Sequence, residues 1–103
     1  MLERNYQPKL IKKLKTMFPG CVVLKNDANY LQGFPDLLIL YQDRWAALET
    51  KKDKNAGHRP NQEHYVNLLH GMSYASFIFP ENEEEVLHEV QRAFQSDRSA
   101  RLP

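Results

Sequence analysis

At 103 residues with 42% apolar side chains, the chain suits one domain with a modest core, and no apolar run approaches the ~20 residues of a membrane helix. The single cysteine, Cys21, excludes an internal disulfide framework and a cysteine-based zinc site. A net charge of +1 hides a polarity: Arg4, Lys9, Lys12, Lys13, Lys15 and Lys25 crowd the first quarter, Lys51, Lys52, Lys54 and Arg59 follow mid-chain, and Glu81, Glu83, Glu84, Glu85 and Glu89 collect late. Such asymmetry allows a basic surface for a polyanion on a nearly neutral protein, or simply solvated helix faces. The start, MLERNYQPKL, has no signal-peptide pattern, and the expectation is a cytoplasmic protein.

Leu10, Ile11, Leu14, Met17 and Phe18 recur at helical spacing. Pro8 suits a first helical turn and Pro19-Gly20 a stop, which leaves Glu3 before the helix or in a turn bent at Pro8. Cys21 to Leu24 reads as a short strand, and Lys25 to Gly33 as a loop rich in Asn, Asp and Gly. Leu37 to Tyr41 and Trp45 to Leu48 are apolar runs split by a turn, a hairpin signal. Asp53 to Pro60 is a polar loop. Asn61 to Gly71 is helical, with Tyr65, Leu68 and Leu69 on one face, Pro60 near its start and Gly71 past its end. Tyr74 to Phe79 reads as a strand stopped by Pro80. Asn82 and Glu85 have capping-box spacing ahead of the helical stripe Val86, Leu87, Val90 and Phe94. The expected whole is one α/β domain over 1–95, helix–three strands–helix–strand–helix, its mixed central sheet flanked by helices, with a frayed tail over 96–103.

The stretch GFPDLLILYQDRWAALETKKDK, Gly33 to Lys54, carries the chemistry. If the hairpin loop is Gln42-Asp43, Tyr41 faces Arg44, and counting back sets Asp36 opposite Glu49. Opposed residues share a sheet face, and Lys51, two residues beyond Glu49, joins that face. Two opposed carboxylates repel, and a divalent cation is one way to offset that. Mg²⁺ or Mn²⁺ takes carboxylate oxygens together with waters and phosphate, and a neighbouring lysine stabilises charge on phosphate. The same residues also allow plainer roles: Asp36 as a turn cap, and Glu49–Lys51 as a surface salt bridge. His58, His64, His70 and His88 lack convincing ligand spacing, and Trp45, on the Glu49 side of its strand, reads as core.

Pro35-Asp36 followed by Glu49-Thr50-Lys51 resembles the motif of the PD-(D/E)XK nuclease superfamily, and with Gly33-Phe34-Pro35-Asp36 and Gln62 it resembles the VRR-NUC branch, whose small stand-alone members occur in bacteriophages and bacteria. The resemblance spans about residues 3–95. It implies a restriction-endonuclease-like core and metal-dependent DNA cleavage. Asp36 and Glu49 would be ligands to Mg²⁺ or Mn²⁺, joined by the Thr50 carbonyl. Lys51 would be the catalytic lysine, and Gln62 would help shape the site. Glu3 is the one candidate for the acid that many members carry on the first helix. Beside the motif, Lys25, Asn26 and Tyr30 in the loop leading into it could touch DNA, with Asn26 equally a structural turn residue, and Lys52, Lys54, His58 and Arg59 after the motif strand could meet DNA phosphates collectively or be solvated surface charges.

With no second reading domain, recognition would rest on phosphate contacts and DNA shape, which suits duplex or branched DNA cut with little sequence specificity. Cutting two strands would suit a homodimer. Two other readings stay open: a non-catalytic nucleic-acid-binding module, and a nuclease subunit that needs a partner and docks through the acidic last helix.

Overall fold

The computed structural model describes residues 3–95, with side chains from residue 5 onward. Its elements are α1 (Glu3–Met17), β1 (Val22–Lys25), β2 (Leu37–Tyr41), β3 (Arg44–Thr50), α2 (Pro60–Met72), β4 (Tyr74–Ile78) and α3 (Glu83–Gln95). The order is the expected one, and several boundaries move. Helix α1 begins at Glu3, not after it, and Pro8 sits in its interior. Proline removes one N–H from the helical ladder there, a loss that tertiary packing of the helix outweighs. Tyr6, Leu10, Leu14 and Phe18 form its buried stripe.

The four strands lie in the order β1-β2-β3-β4. The pairs β1/β2 and β2/β3 are antiparallel, and β3/β4 is parallel, with α2 as the crossover that a parallel pair requires. The first strand starts at Val22 and not Cys21, because Val22 is the first residue to find a partner, Leu40. Strand β3 is longer than its apolar run: Arg44 pairs with Tyr41 across the hairpin, and Glu49 and Thr50 are held by Phe77 and Ile78 of β4. Gln42 enters the two-residue turn with φ 58.

Side-chain alternation splits the core in two. Leu37, Ile39, Ala46, Leu48 and Ile78 face α1 and α3, while Ala47 and Ala75 face Val66 and Leu69 of α2. The result is a small three-layer α/β domain whose central strand β3 is buried from Ala46 to Thr50. Full burial of each Leu, Ile or Val here contributes about 1.5–3 kcal/mol. Trp45 packs in the α2-side core, as expected.

Two more boundaries are corrected. Gly71 lies inside the last turn of α2, and Ser73 is the C-cap residue, its N–H bonded to the Leu69 carbonyl. At α3, the Asn82 side chain turns back to accept from the Phe79 N–H at 2.8 Å and donate to the Phe77 carbonyl at 3.2 Å. It thereby ties the end of β4 to the helix start and does not form the capping box with Glu85. The tail 96–103 lies outside the described residues. No described helix is long and apolar enough to cross a membrane.

Candidate active site

The start of β2, the end of β3 and the first turn of α2 meet at one end of the sheet, with the N-terminal half of α1 beside them. The β2/β3 register is the expected one, running from Tyr41–Arg44 back to Leu37–Leu48. It stops one step short of Asp36 and Glu49, and that step changes the site. Asp36 is past the strand end, and its carboxylate turns to β3: Oδ1 accepts the Thr50 backbone N–H at 3.0 Å, and Oδ2 accepts the Thr50 hydroxyl at 2.5 Å. Glu49 faces the other way, toward α2, and is 5% exposed.

A second cluster forms around Glu49. Lys51 donates to Gln62 Oε1 at 2.9 Å and lies 4.0 Å from Glu49 Oε2. The Gln62 amide Nε2 donates to the same Glu49 oxygen at 3.4 Å. Gln62 Oε1 also accepts the Arg59 N–H at 3.0 Å, so the residue that orients the lysine also caps α2. Gln62 thus clamps the lysine and the glutamate to the helix start, and its side chain is no idle surface group. The Lys51 and Glu49 side chains are only 11% and 7% exposed, so their charges act in a medium where pairing matters far more than in water.

The carboxylate repulsion anticipated from the sequence is therefore relieved by protein groups: Asp36 by Thr50, Glu49 by Lys51 and Gln62. A cation is not needed to hold the fold together. By chemical type the donors match those a cation takes, but the two carboxylates turn to opposite sides of β3. A strand residue directs its N–H and C=O to the same neighbour, so the Thr50 carbonyl points to the Asp36 side of β3. Two carboxylates and a carbonyl at one sheet end are the hard oxygen ligands that Mg²⁺ and Mn²⁺ prefer. Among the described residues no three His, Cys, Asp or Glu side chains group as metal ligands. Glu3 opens α1, and its side chain lies outside the described residues.

One member of the site was missed from sequence. Gln7 Nε2 donates to Asp36 Oδ2 at 3.1 Å and reaches the Thr50 hydroxyl at 3.4 Å. The signal was present: Gln7 stands three residues before Leu10 and seven before Leu14, on the buried stripe of α1, where a polar residue needs a partner.

Comparison with known proteins adds no relative. No family model matches the chain, and no curated protein or solved structure matches it.

The expected DNA-contact residues divide. Lys25 ends β1 exposed at the same sheet end, and Lys52, Lys54 and Arg59 are exposed on the loop between β3 and α2. His58 precedes helix α2. Its ring stacks on Phe77 at 4.3 Å and its Nε2 lies 2.9 Å from Glu63 Oε1, so it anchors that loop. Asn26 is likewise structural: its side-chain amide donates to the Pro35 carbonyl at 2.5 Å, and its N–H donates to the Asp36 carbonyl at 2.9 Å. Elsewhere, Tyr6 donates to Glu83 at 2.7 Å and Tyr74 to Glu89 at 2.5 Å; burial first, and then the carboxylate partner, pushes both phenol pKa values up.

Proposed function

We propose that this chain is a metal-dependent DNA endonuclease with a restriction-endonuclease-like core of the PD-(D/E)XK type. The observation that carries the reading is the Glu49–Lys51–Gln62 cluster beside Asp36. A nearly buried lysine is held by a glutamine next to a nearly buried glutamate, at the strand end where the second carboxylate sits. A scaffold with only structural needs would more cheaply fill those positions with apolar side chains.

Asp36, Glu49 and the Thr50 carbonyl would hold Mg²⁺ or Mn²⁺. When bound, such an ion supplies Lewis acidity and makes hydroxide available at neutral pH. The chain's own groups do the rest. Gln62 and Gln7 keep the two carboxylates in place. The Lys51 ammonium, its direction set by Gln62, neutralises charge that grows on a nonbridging phosphate oxygen as water adds to phosphorus. The P–O3′ bond then breaks, leaving a 5′-phosphate and a 3′-hydroxyl. Lys25, Lys52, Lys54 and Arg59 attract the phosphate backbone without reading bases. The acidic start of α3, Glu83 to Glu85, follows β4, the edge strand opposite β1, and would repel DNA from that edge.

A homodimer belongs to the same proposal. Helix α2 packs mainly on β3 and β4, and Val22, Leu24 and Leu40 are exposed on the open face of β1 and β2. Sedimentation velocity of the parent and of Leu24→Lys decides it. The activity itself is tested by incubating labelled duplex, single-stranded, flap and four-way-junction DNA with Mg²⁺, Mn²⁺ or EDTA. Cutting that needs metal and is lost in Lys51→Ala and Glu49→Ala supports the reading. Binding with no cutting of any substrate refutes it in favour of a non-catalytic module or a subunit awaiting a partner.

A further inference from the structure

Among the described residues Tyr30 is the single exposed Phe, Tyr or Trp, at 89% exposure, while every other one is buried or half-buried. It lies in the β1–β2 loop, which hydrogen bonds brace from within. Asp27 Oδ1 accepts the Asn29 N–H at 2.8 Å, and its carbonyl accepts the Tyr30 N–H at 3.0 Å. The Leu31 carbonyl accepts the Phe34 N–H at 3.3 Å. The loop's base is bonded to the candidate site itself, through Asn26 to Pro35 and Asp36. Its far side rests on α2: Gly33 has φ +86, a Cβ there would come within 2.6 Å of Asn61, and Phe34 meets Tyr65 edge-on at 5.6 Å. The tyrosine is thus carried on a braced support next to Asp36.

Beside it is a hollow of about 160 Å³ lined by Asn26, Asp27, Tyr30, Leu31 and Phe34. Three walls are aromatic or aliphatic and two are polar, with a carboxylate acceptor among them. That combination suits a flat heterocycle with amine groups on its edge. Besides the Asp27 carboxylate in its wall, the loop carries Lys25 at its root, and the exposed Lys52, Lys54 and Arg59 precede the start of α2, whose Asn61 faces Gly33. A polyanion carrying unstacked bases combines these features.

We propose that this hollow receives an unpaired nucleobase of the DNA substrate, stacked on Tyr30, so that the site acts on DNA with splayed or extrahelical nucleotides in preference to perfect duplex. The proposal rests on the nuclease reading for the word substrate, and its structural content is a base-binding pocket. An extrahelical base avoids the unpairing that a duplex must undergo, and stacking on an aromatic face rewards any base.

The test measures binding in EDTA, where cleavage does not interfere. Equilibrium titrations use a perfect duplex and the same duplex with one unpaired 2-aminopurine. The expected result is about tenfold tighter binding of the unpaired substrate, with 2-aminopurine quenched on binding. Tyr30→Ala should remove both the preference and the quenching while leaving duplex affinity and Tm unchanged, and Tyr30→Phe should keep both. Equal affinity for the two DNAs in the parent overturns the proposal. So does a preference that survives Tyr30→Ala. The nuclease reading fails separately, if the parent binds in this way yet cuts no DNA with Mg²⁺ or Mn²⁺.

Discussion

Gln62→Met tests the clamp at the candidate site through stability alone. Methionine keeps the length of the side chain and removes its amide. The substitution deletes the bonds to Lys51 at 2.9 Å and to the Arg59 N–H at 3.0 Å, together with the weaker 3.4 Å contact to Glu49. A hydrogen bond to a charged group contributes about 1.5–3 kcal/mol. A lost helix-start contact costs about 0.5–2 kcal/mol. Part returns, because Lys51 and Glu49 already lie 4.0 Å apart and can close into a direct ion pair. The net expectation is about 1–3 kcal/mol of destabilisation, or about 4–8 °C in Tm per kcal/mol for a domain of this size. Urea melts followed by circular dichroism should show it. The sharper assay is a double-mutant cycle with Lys51→Met, where a coupling of about 1 kcal/mol is expected between residues in one network. Additive effects, or a Gln62→Met protein as stable as the parent, would refute the claim that this glutamine holds the lysine.

Gln7→Glu places a second carboxylate against Asp36 in exchange for an amide donor, so in EDTA it should melt about 1–3 kcal/mol below the parent. The same variant should gain more Tm than the parent on adding Mn²⁺, and equal gains would remove Gln7 from the site. Gly33→Ala combines a left-handed φ of +86 with a Cβ 2.6 Å from the Asn61 side chain. It should lose at least about 1–2 kcal/mol, and Asn61→Gly in the same chain, which removes the Cβ at 2.9 Å as well, should recover the steric part but not the backbone part. Tyr6 and Tyr74 have pKa values raised from 10.0 by burial and by their carboxylate partners. Their contribution to stability is therefore complete below about pH 10 and falls as pH rises beyond it, because the unfolded chain ionises first. Urea titrations between pH 8 and 11 should show that decline, and a Tyr6→Phe, Tyr74→Phe double variant should flatten it.

Several features were legible along the chain because they are local. The helical spacing of the α1 stripe and the short apolar runs of β2 and β3 on either side of a turn mark helix and hairpin locally. The two-residue turn at Gln42-Asp43 set the β2/β3 register, since hairpin pairing is counted outward from the turn. That register brought Asp36, Glu49 and Lys51 to one sheet end, and the spacing to Gln62 placed it in the first turn of α2. Element ends were less legible. Thr50 belongs to β3 because Ile78, far along the chain, pairs with it, and Pro8 lies within α1 because burial of Tyr6, Leu10 and Leu14 outweighs one missing hydrogen bond.

The division of the site was decided only by the tertiary structure. Opposition on paper predicted two carboxylates facing each other across a strand gap. In the folded chain Asp36 turns to Thr50 and Gln7, while Glu49 turns to Lys51 and Gln62. The ladder ends before Asp36, which frees its side chain to follow the nearest donors, and α1 brings one of those donors from 29 residues away in sequence. Strand pairing sets which backbones are neighbours, but a carboxylate's direction depends on every donor that packing brings near it. The sequence by itself therefore determined which residues meet at this end of the sheet, and the packing of α1 and α2 against its two faces decided which of them bond to one another.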